Sequence, residues 1–300
     1  MEEKKKGNPV IQGLYADPDL VFMDRKYYIY PTTDGYDGWS GTEFSVFSSE
    51  DGKTFGQPKK ILDVTSEQVP WAIGSAWAPC MIKKNGLYYF YFCAKRRDGV
   101  SCIGVAVSDR PDEGFLAEEE PIVTPEEVKA QGIDICQTID PSVYSEEGRT
   151  YLIFGNGNPV IVQLEYDMRH IIPETMRQLE GAYDFRESMI VTKRDNLYHF
   201  TWSCDDTGSE NYHVNYGISK SLFGPIEYCY PVLEKQGGSL GTGHHSILKV
   251  PGQDRYIIAF HRFATPLENY PEGKGYHREV CTAELTFDEA GKMKPVKIEE

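Results

Sequence analysis

Five times along this chain a polar residue opens an apolar run, a polar turn follows, and an aromatic-rich run answers it. The first copy is Ala16-Asp17-Pro18-Asp19-Leu20-Val21-Phe22, then Met23-Asp24-Arg25-Lys26, then Tyr27-Tyr28-Ile29-Tyr30. The same shape returns at Ala78-Pro79-Cys80-Met81-Ile82 with Tyr88-Tyr89-Phe90-Tyr91, and at Asp140-Pro141-Ser142-Val143-Tyr144 with Tyr151-Leu152-Ile153-Phe154. It returns again at Glu187-Ser188-Met189-Ile190-Val191 with Tyr198-His199-Phe200, and at His244-His245-Ser246-Ile247-Leu248 with Tyr256-Ile257-Ile258-Ala259-Phe260. A hairpin alone cannot bury its face, so units of this kind must stack on one another. Radial stacking of four-stranded sheets gives a β-propeller, whose first strands line a central channel. The expected architecture is therefore all-β: a five-bladed β-propeller forming a single domain over residues 1–300.

Each copy predicts further strands. Phe44–Ser49 alternates as a third strand of the first blade, with Ile61-Leu62 outside it. Cys102–Ser108, Val160–Leu164, Asn215–Lys220 and Val280–Leu285 play comparable parts later. Residues 1–12 read as a polar tail able to supply the outer strand of the last blade and remove an edge. Thr32–Thr42, rich in Gly, Asp, Tyr and Trp, reads as a loop at the channel mouth. Helical periodicity is weak, and Thr124–Gln131 is the one short helix expected.

The leading residues of the five copies are Asp17, Ala78, Asp140, Glu187 and His244, so three of the five are carboxylates. In a propeller they converge at one mouth of the channel. Proline fixes the backbone after Asp17 and Asp140 and removes a donor, which sets both at strand entries. Convergent carboxylates suit glycosidic cleavage. One carboxylic acid protonates the leaving oxygen while another carboxylate activates water from the opposite face, about 6.5–9.5 Å away in inverting enzymes. A nearby like charge raises a carboxyl pKa and keeps the acid protonated.

Composition narrows the partners. A net charge of -15 repels phosphate backbones, so no nucleic-acid partner is expected. No apolar run is long enough to span a bilayer, so no membrane partner is expected either. The 20 Tyr and 14 Phe suit strand surfaces and sugar stacking alike. The seven Cys show no CxxC spacing and read as buried free thiols of a reducing compartment. The expected location is cytoplasmic, with a secreted origin left open.

Taken in order, Ala16-Asp17-Pro18-Asp19, Ser75-Ala76-Trp77-Ala78-Pro79, Ile139-Asp140-Pro141-Ser142 and Gly241-Thr242-Gly243-His244-His245-Ser246 resemble glycoside hydrolase family 43 over essentially the whole chain. The resemblance implies a five-bladed propeller and inverting hydrolysis of arabinose- or xylose-containing glycans. It implies Asp17 as general base, Asp140 as pKa modulator and Glu187 as general acid. The sequence departs from the family at Glu187-Ser188-Met189, where Glu-Gly-Pro is frequent. Carried over by position, Arg278 would bind sugar hydroxyls and act on the modulator Asp, with Arg262 as a second candidate. Trp77 would be a stacking wall, with Trp39 and Trp71 at outer subsites. His244, or the adjacent His245, would help hold a metal, a structural Ca2+ on the propeller axis with waters supplying most ligands. No cofactor is required for the chemistry.

The expected function is exo-acting release of α-L-arabinofuranose from oligo- and polysaccharides, with β-D-xylosidase or dual activity as the alternative. A non-catalytic carbohydrate-binding propeller is a third reading. A retaining sucrose- or fructan-cleaving enzyme is a fourth, disfavoured because Ala16 and Ile139 precede the two Asp and Ser188 follows the Glu. The expected partner is a small arabinose- or xylose-containing oligosaccharide.

Overall fold

A computed structural model describes residues 7–271 and 275–299. The first blade holds β1 (Tyr15–Met23), β2 (Lys26–Thr33), β3 (Glu43–Ser49) and β4 (Lys59–Asp63). The second holds β5 (Ala72–Lys84), β6 (Leu87–Arg96), β7 (Ser101–Ser108) and β8 (Leu116–Ala117). The third holds β9 (Ser142–Glu146), β10 (Arg149–Phe154), β11 (Val160–Gln163) and β12 (Arg177–Gln178). The fourth holds β13 (Glu187–Arg194), β14 (Leu197–Cys204), β15 (His213–Ser219) and β16 (Glu227–Leu233), and the last β17 (Gly243–Lys249), β18 (Tyr256–Phe263) and β19 (Arg278–Leu285). Each blade is an antiparallel meander in sequence order, four strands in the first four and three in the last.

Alternation along these strands gives each sheet two apolar faces, and each face is buried against the next sheet. Tyr30, Phe44 and Val46 of the first blade meet Phe90, Phe92 and Trp71 of the second. Tyr91 and Val105 meet Leu152 and Phe154; Ile153 and Ile161 meet Phe200 and Trp202; Val214 and Tyr216 meet Ile258 and Phe260. Ala259 and Val280 then meet Leu20, Ile29 and Phe47 of the first blade. The apolar contacts thus run around a closed five-membered ring.

The tail lies against β19 without adding a regular strand. The Val10 N–H donates to Val280 O (2.9 Å), and the Asn8 side chain accepts the Thr282 N–H and donates to Thr282 O. Pro9 has no N–H to give, so a side-chain amide stands in for a backbone pair. Residues 1–6 lie outside the described residues. The single α-helix among the described residues, α1 (Pro125–Ala130), matches its expected place; Thr124 and Glu127 form a reciprocal capping box, and Pro125 occupies the first turn.

Trp71 departs from expectation. It is 7% exposed and stacks on Phe92, centroids 5.9 Å apart and planes within 11°. Gly104 leaves the room for it, since a Cβ there would meet the Trp71 ring at 2.5 Å. The ring packs between two blades and does not line the channel mouth. The thiols also divide: Cys80, Cys93, Cys102, Cys204 and Cys281 are buried and free, while Cys136 is exposed. We expect Trp71→Ala to cost about 3–5 kcal/mol, read as a lower denaturation midpoint, with kcat below the transition unchanged. A loss of kcat without a loss of stability would place Trp71 in the site after all.

Candidate active site

Near the start of each innermost strand the chain makes the same irregularity. Ala16 pairs with Thr32 but Asp19 with Tyr30; Trp77 pairs with Cys93 but Cys80 with Tyr91. Glu187 pairs with Ser203 but Ile190 with Thr201; Gly243 pairs with His261 but Ser246 with Ala259. In the third blade Ile139 accepts the Gly155 N–H while Ser142 pairs with Ile153. Each is a bulge of one extra residue, and that residue is left-handed: Asp17 (φ 48), Ala78 (φ 46), Asp140 (φ 62), Ser188 (φ 58) and His244 (φ 40). Such a backbone costs about 1–2 kcal/mol at a residue with a Cβ, so something must hold it.

What holds it comes from the preceding blade. The Asp17 N–H donates to His261 Nδ1 (3.3 Å), the Ala78 N–H to Thr32 Oγ1 (2.7 Å), the Asp140 N–H to Cys93 Sγ (3.0 Å) and the His244 N–H to Ser203 Oγ (2.9 Å). These acceptors sit on the second strand of the blade before, directly opposite that blade's own bulge. The corresponding residue before Ser188 is Gly155, which has no side chain to offer. Proline after Asp17, Ala78 and Asp140 removes a further N–H where the ladder is broken.

This register corrects one expectation. Ser188, and not Glu187, is the counterpart of Asp17 and Asp140; Glu187 stands one residue earlier. The left-handed backbone at Ser188 also accounts for the glycine frequent there in the family. Glu187 still reaches the same pocket. That pocket, of about 190 Å3, is lined by Asp17, Asp140, Glu187, His244, Arg278 and Trp77 together with Trp39, Gln137, Arg186 and Thr207. Below it the channel narrows to a gap of about 20 Å3.

The three carboxyls have different surroundings. Asp17 Oδ1 accepts from Arg278 Nη1 (3.0 Å) and lies 3.0 Å from His261 Nδ1 and 3.4 Å from His244 Nδ1. Burial alone would raise its pKa, but the Arg278 charge beside it holds it well below the usual carboxylate range. Arg278 is itself fixed by Asp34, which accepts from its Nε (2.8 Å), Nη2 (3.2 Å) and backbone N–H (2.9 Å). Neighbouring Glu279 pairs instead with Arg262, whose Nε donates to its Oε1 (2.9 Å).

Asp140 has the opposite environment. It is buried, its Oδ2 has no hydrogen-bond partner among the described residues, and His244 Nδ1 is 3.7 Å away. Burial, then the charges of Glu187 and Asp17, push its pKa well up. Glu187 is raised by burial as well, partly offset by Tyr212, whose hydroxyl donates to Oε1 (2.8 Å), by the charge of Arg186, and by Asn156, whose amide donates to Oε2 (2.7 Å). Asp140 and Glu187 are thus both pushed toward the neutral form, beside an Asp17 pushed toward the charged one. Gly243 leaves space for the Tyr212 ring; a Cβ there would meet it at 2.2 Å. The ring also stacks parallel on His261, centroids 5.6 Å apart.

The indoles form one wall. Trp77 Nε1 donates to Trp39 O (2.6 Å), and Trp39 Nε1 donates to Gly275 O (3.1 Å). Arg262 does not reach the pocket: it is buried, donating to Glu279 (2.9 Å) and Ser239 (2.7 Å). His245 hydrogen-bonds Thr201 (2.6 Å), and burial lowers its pKa to about 3. For an axial Ca2+, which takes six to eight ligands, His244 would offer one nitrogen beside two carboxylates and water would supply the rest; no group of three or more His, Cys, Asp or Glu among the described residues is arranged to hold a metal.

Asp34, Asn156, Tyr212, His261 and Arg186 escaped the sequence reading. Thr32, Cys93, Ser203 and His261 each lie five residues beyond the Tyr that opens the second strand (Tyr27, Tyr88, Tyr198, Tyr256), a spacing that marks His261 in advance. Nothing comparable marks Asp34, Asn156 or Tyr212, which come from loops.

If Asp17 must be ionised to act, removing Arg278 has a definite sign. Arg278→Met raises the Asp17 pKa, so the acidic limb of the kcat/KM–pH profile moves up by about 1–3 pH units. An unmoved limb would show that Arg278 is not what holds Asp17 ionised.

Comparison with known proteins agrees with the fold. The profile of glycosyl hydrolases family 43 matches residues 6–293. A β-D-galactofuranosidase of Aspergillus niger is 31% identical, over 98% of this chain and 86% of its own. A xylosidase/arabinosidase of Humicola insolens is 28% identical, over 95% of this chain and 98% of its own. The crystal structure of a family 43 enzyme from Xanthomonas citri, 26% identical, superposes with a TM-score of 0.79 over 97% of this chain and 92% of that one; the enzyme has also been crystallised with xylotriose. The chain belongs to glycoside hydrolase family 43 and is a glycoside hydrolase built on a five-bladed β-propeller.

Proposed function

We propose that this hydrolase is exo-acting and inverting, removing one terminal pentose, α-L-arabinofuranose or β-D-xylose, from oligosaccharides. The observation that carries the reading is the contrast between the carboxyls that face one another across one small pocket. Asp17 is paired with Arg278 and pushed toward the charged form, while buried Asp140 and Glu187 are pushed toward the neutral one. A pocket of about 190 Å3 that closes to a narrow gap suits one sugar ring rather than a polymer running through.

In this reading Asp17 takes a proton from water as the water oxygen attacks the anomeric carbon. Glu187 gives its proton to the glycosidic oxygen as the bond to the leaving group breaks. Asp140, buried and unpartnered at Oδ2, is the modulator, and the charge of Glu187 beside it helps to push it toward the neutral form. Arg278, held by Asp34, keeps Asp17 ionised and offers N–H groups to the same sugar. Trp77 and Trp39 supply the apolar wall. Names of relatives include both pentoses, so both are tested on equal terms. The galactofuranosidase relative adds a third glycone, a furanose like arabinofuranose with one more exocyclic carbon.

The test is hydrolysis of 4-nitrophenyl α-L-arabinofuranoside, β-D-xyloside and β-D-galactofuranoside, with the first-formed anomer followed by NMR. Inversion is expected; a retained anomer would overturn the mechanism. Asp17→Asn is expected to lower kcat by about 10²–10⁴ on every accepted substrate. Glu187→Gln should spare activated aryl glycosides relative to glycosides with a sugar leaving group, because a good leaving group needs less protonation. Near-normal turnover by either variant removes that residue from the mechanism.

A further inference from the structure

Beside the acid stands a guanidinium that the catalytic reading leaves without a task. The Arg186 backbone is fixed on both sides: its N–H donates to Ser203 O (2.9 Å), and its carbonyl accepts from the Gly157 N–H (2.8 Å). Its side chain lines the pocket and is 42% exposed. Nε lies 3.8 Å from Glu187 Oε2 and Nη2 lies 3.6 Å from Asp206 Oδ2, both beyond hydrogen-bond length. Among the described residues the guanidinium makes no hydrogen bond, and Nε is buried without a partner. Arg278, the other arginine of the pocket, is 4% exposed and hydrogen-bonds Asp17 and Asp34.

We propose that Arg186, together with Asp206, recognises the sugar on the leaving side of the scissile bond. The inference rests on reading the pocket as a glycosidase site. The acid must lie within hydrogen-bond reach of the glycosidic oxygen, so Glu187 marks the boundary between the sugar released and the one left behind. Asp17, Arg278 and Asp34 are buried and belong to the released sugar. Arg186 is next to the acid and opens to solvent, on the side where the remaining saccharide must extend. The chemistry favours a neutral polyol. Arg186 offers planar donors and exposed Asp206 offers acceptors, and a pair of neighbouring hydroxyls satisfies both. An anionic group would meet Asp206 and Glu187 within 4.0 Å of the same guanidinium.

The experiment compares a pentose disaccharide with the 4-nitrophenyl glycoside of the same pentose. Arg186→Met should lose about 10- to 100-fold in kcat/KM on the disaccharide, the size of one or two charge-assisted hydrogen bonds, and less than about 3-fold on the aryl glycoside. Arg186→Lys keeps the positive charge beside Glu187 and should recover only part of the disaccharide rate, because an ammonium lacks the planar fork. Equal losses on both substrates, no loss on either, or full recovery by lysine would each overturn the inference while leaving the glycosidase reading intact. A wild-type enzyme inactive on both glycosides would overturn the reading and this inference with it.

Discussion

The fold and its site depend on one repeated interaction: a left-handed bulge residue whose N–H is held by a side chain of the blade before. Without a bulge, the innermost strands would continue their alternation and pass the channel mouth without turning side chains into it. With it, Asp17, Asp140 and His244 enter the pocket, and each is braced by a neighbouring sheet. Left-handed backbone is unfavourable at residues with a Cβ, so the brace and the apolar contacts between blades support one another. A pocket assembled from several strands is then as rigid as the ring of sheets around it.

The second organising force is electrostatic. Three buried carboxyls share one small volume, and burial alone would push all of them toward the neutral form. Arg278 breaks that symmetry by standing against Asp17 and away from Asp140. It can do so because Asp34 holds it with three hydrogen bonds, leaving one face of the guanidinium for Asp17. Tyr212 and Asn156 temper Glu187 by giving its carboxylate two donors, whereas Asp140 Oδ2 receives none. Similar groups in one cavity thereby have their pKa values pushed in opposite directions.

Much of the fold was legible because a propeller writes its geometry as a repeat. The aromatic hairpins marked the first two strands of every blade, and the Asp-Pro pairs marked two bulges. Glu187 was placed one residue out of register because a repeat is read from matched residue types, and a carboxylate in about the right place hides a shift of one. Trp71 and Arg262 were drawn into the site by their chemistry. Whether an indole or a guanidinium faces a cavity or a core depends on which neighbour has room for it, and Gly104 and Glu279 decided those cases.

By itself, the amino-acid order determined that the chain makes five similar sheets and that acidic residues stand at the heads of several inner strands. Those are local properties, set by alternation, turn residues and proline, and they survive in any reading of the string. Only the tertiary structure decided which carboxyl keeps its charge, which arginine serves it, and which polar groups are left open to a ligand. Those outcomes depend on distances between segments as far apart in the chain as Asp17 and Arg278, and Coulomb forces in a buried site follow separation in space rather than in sequence.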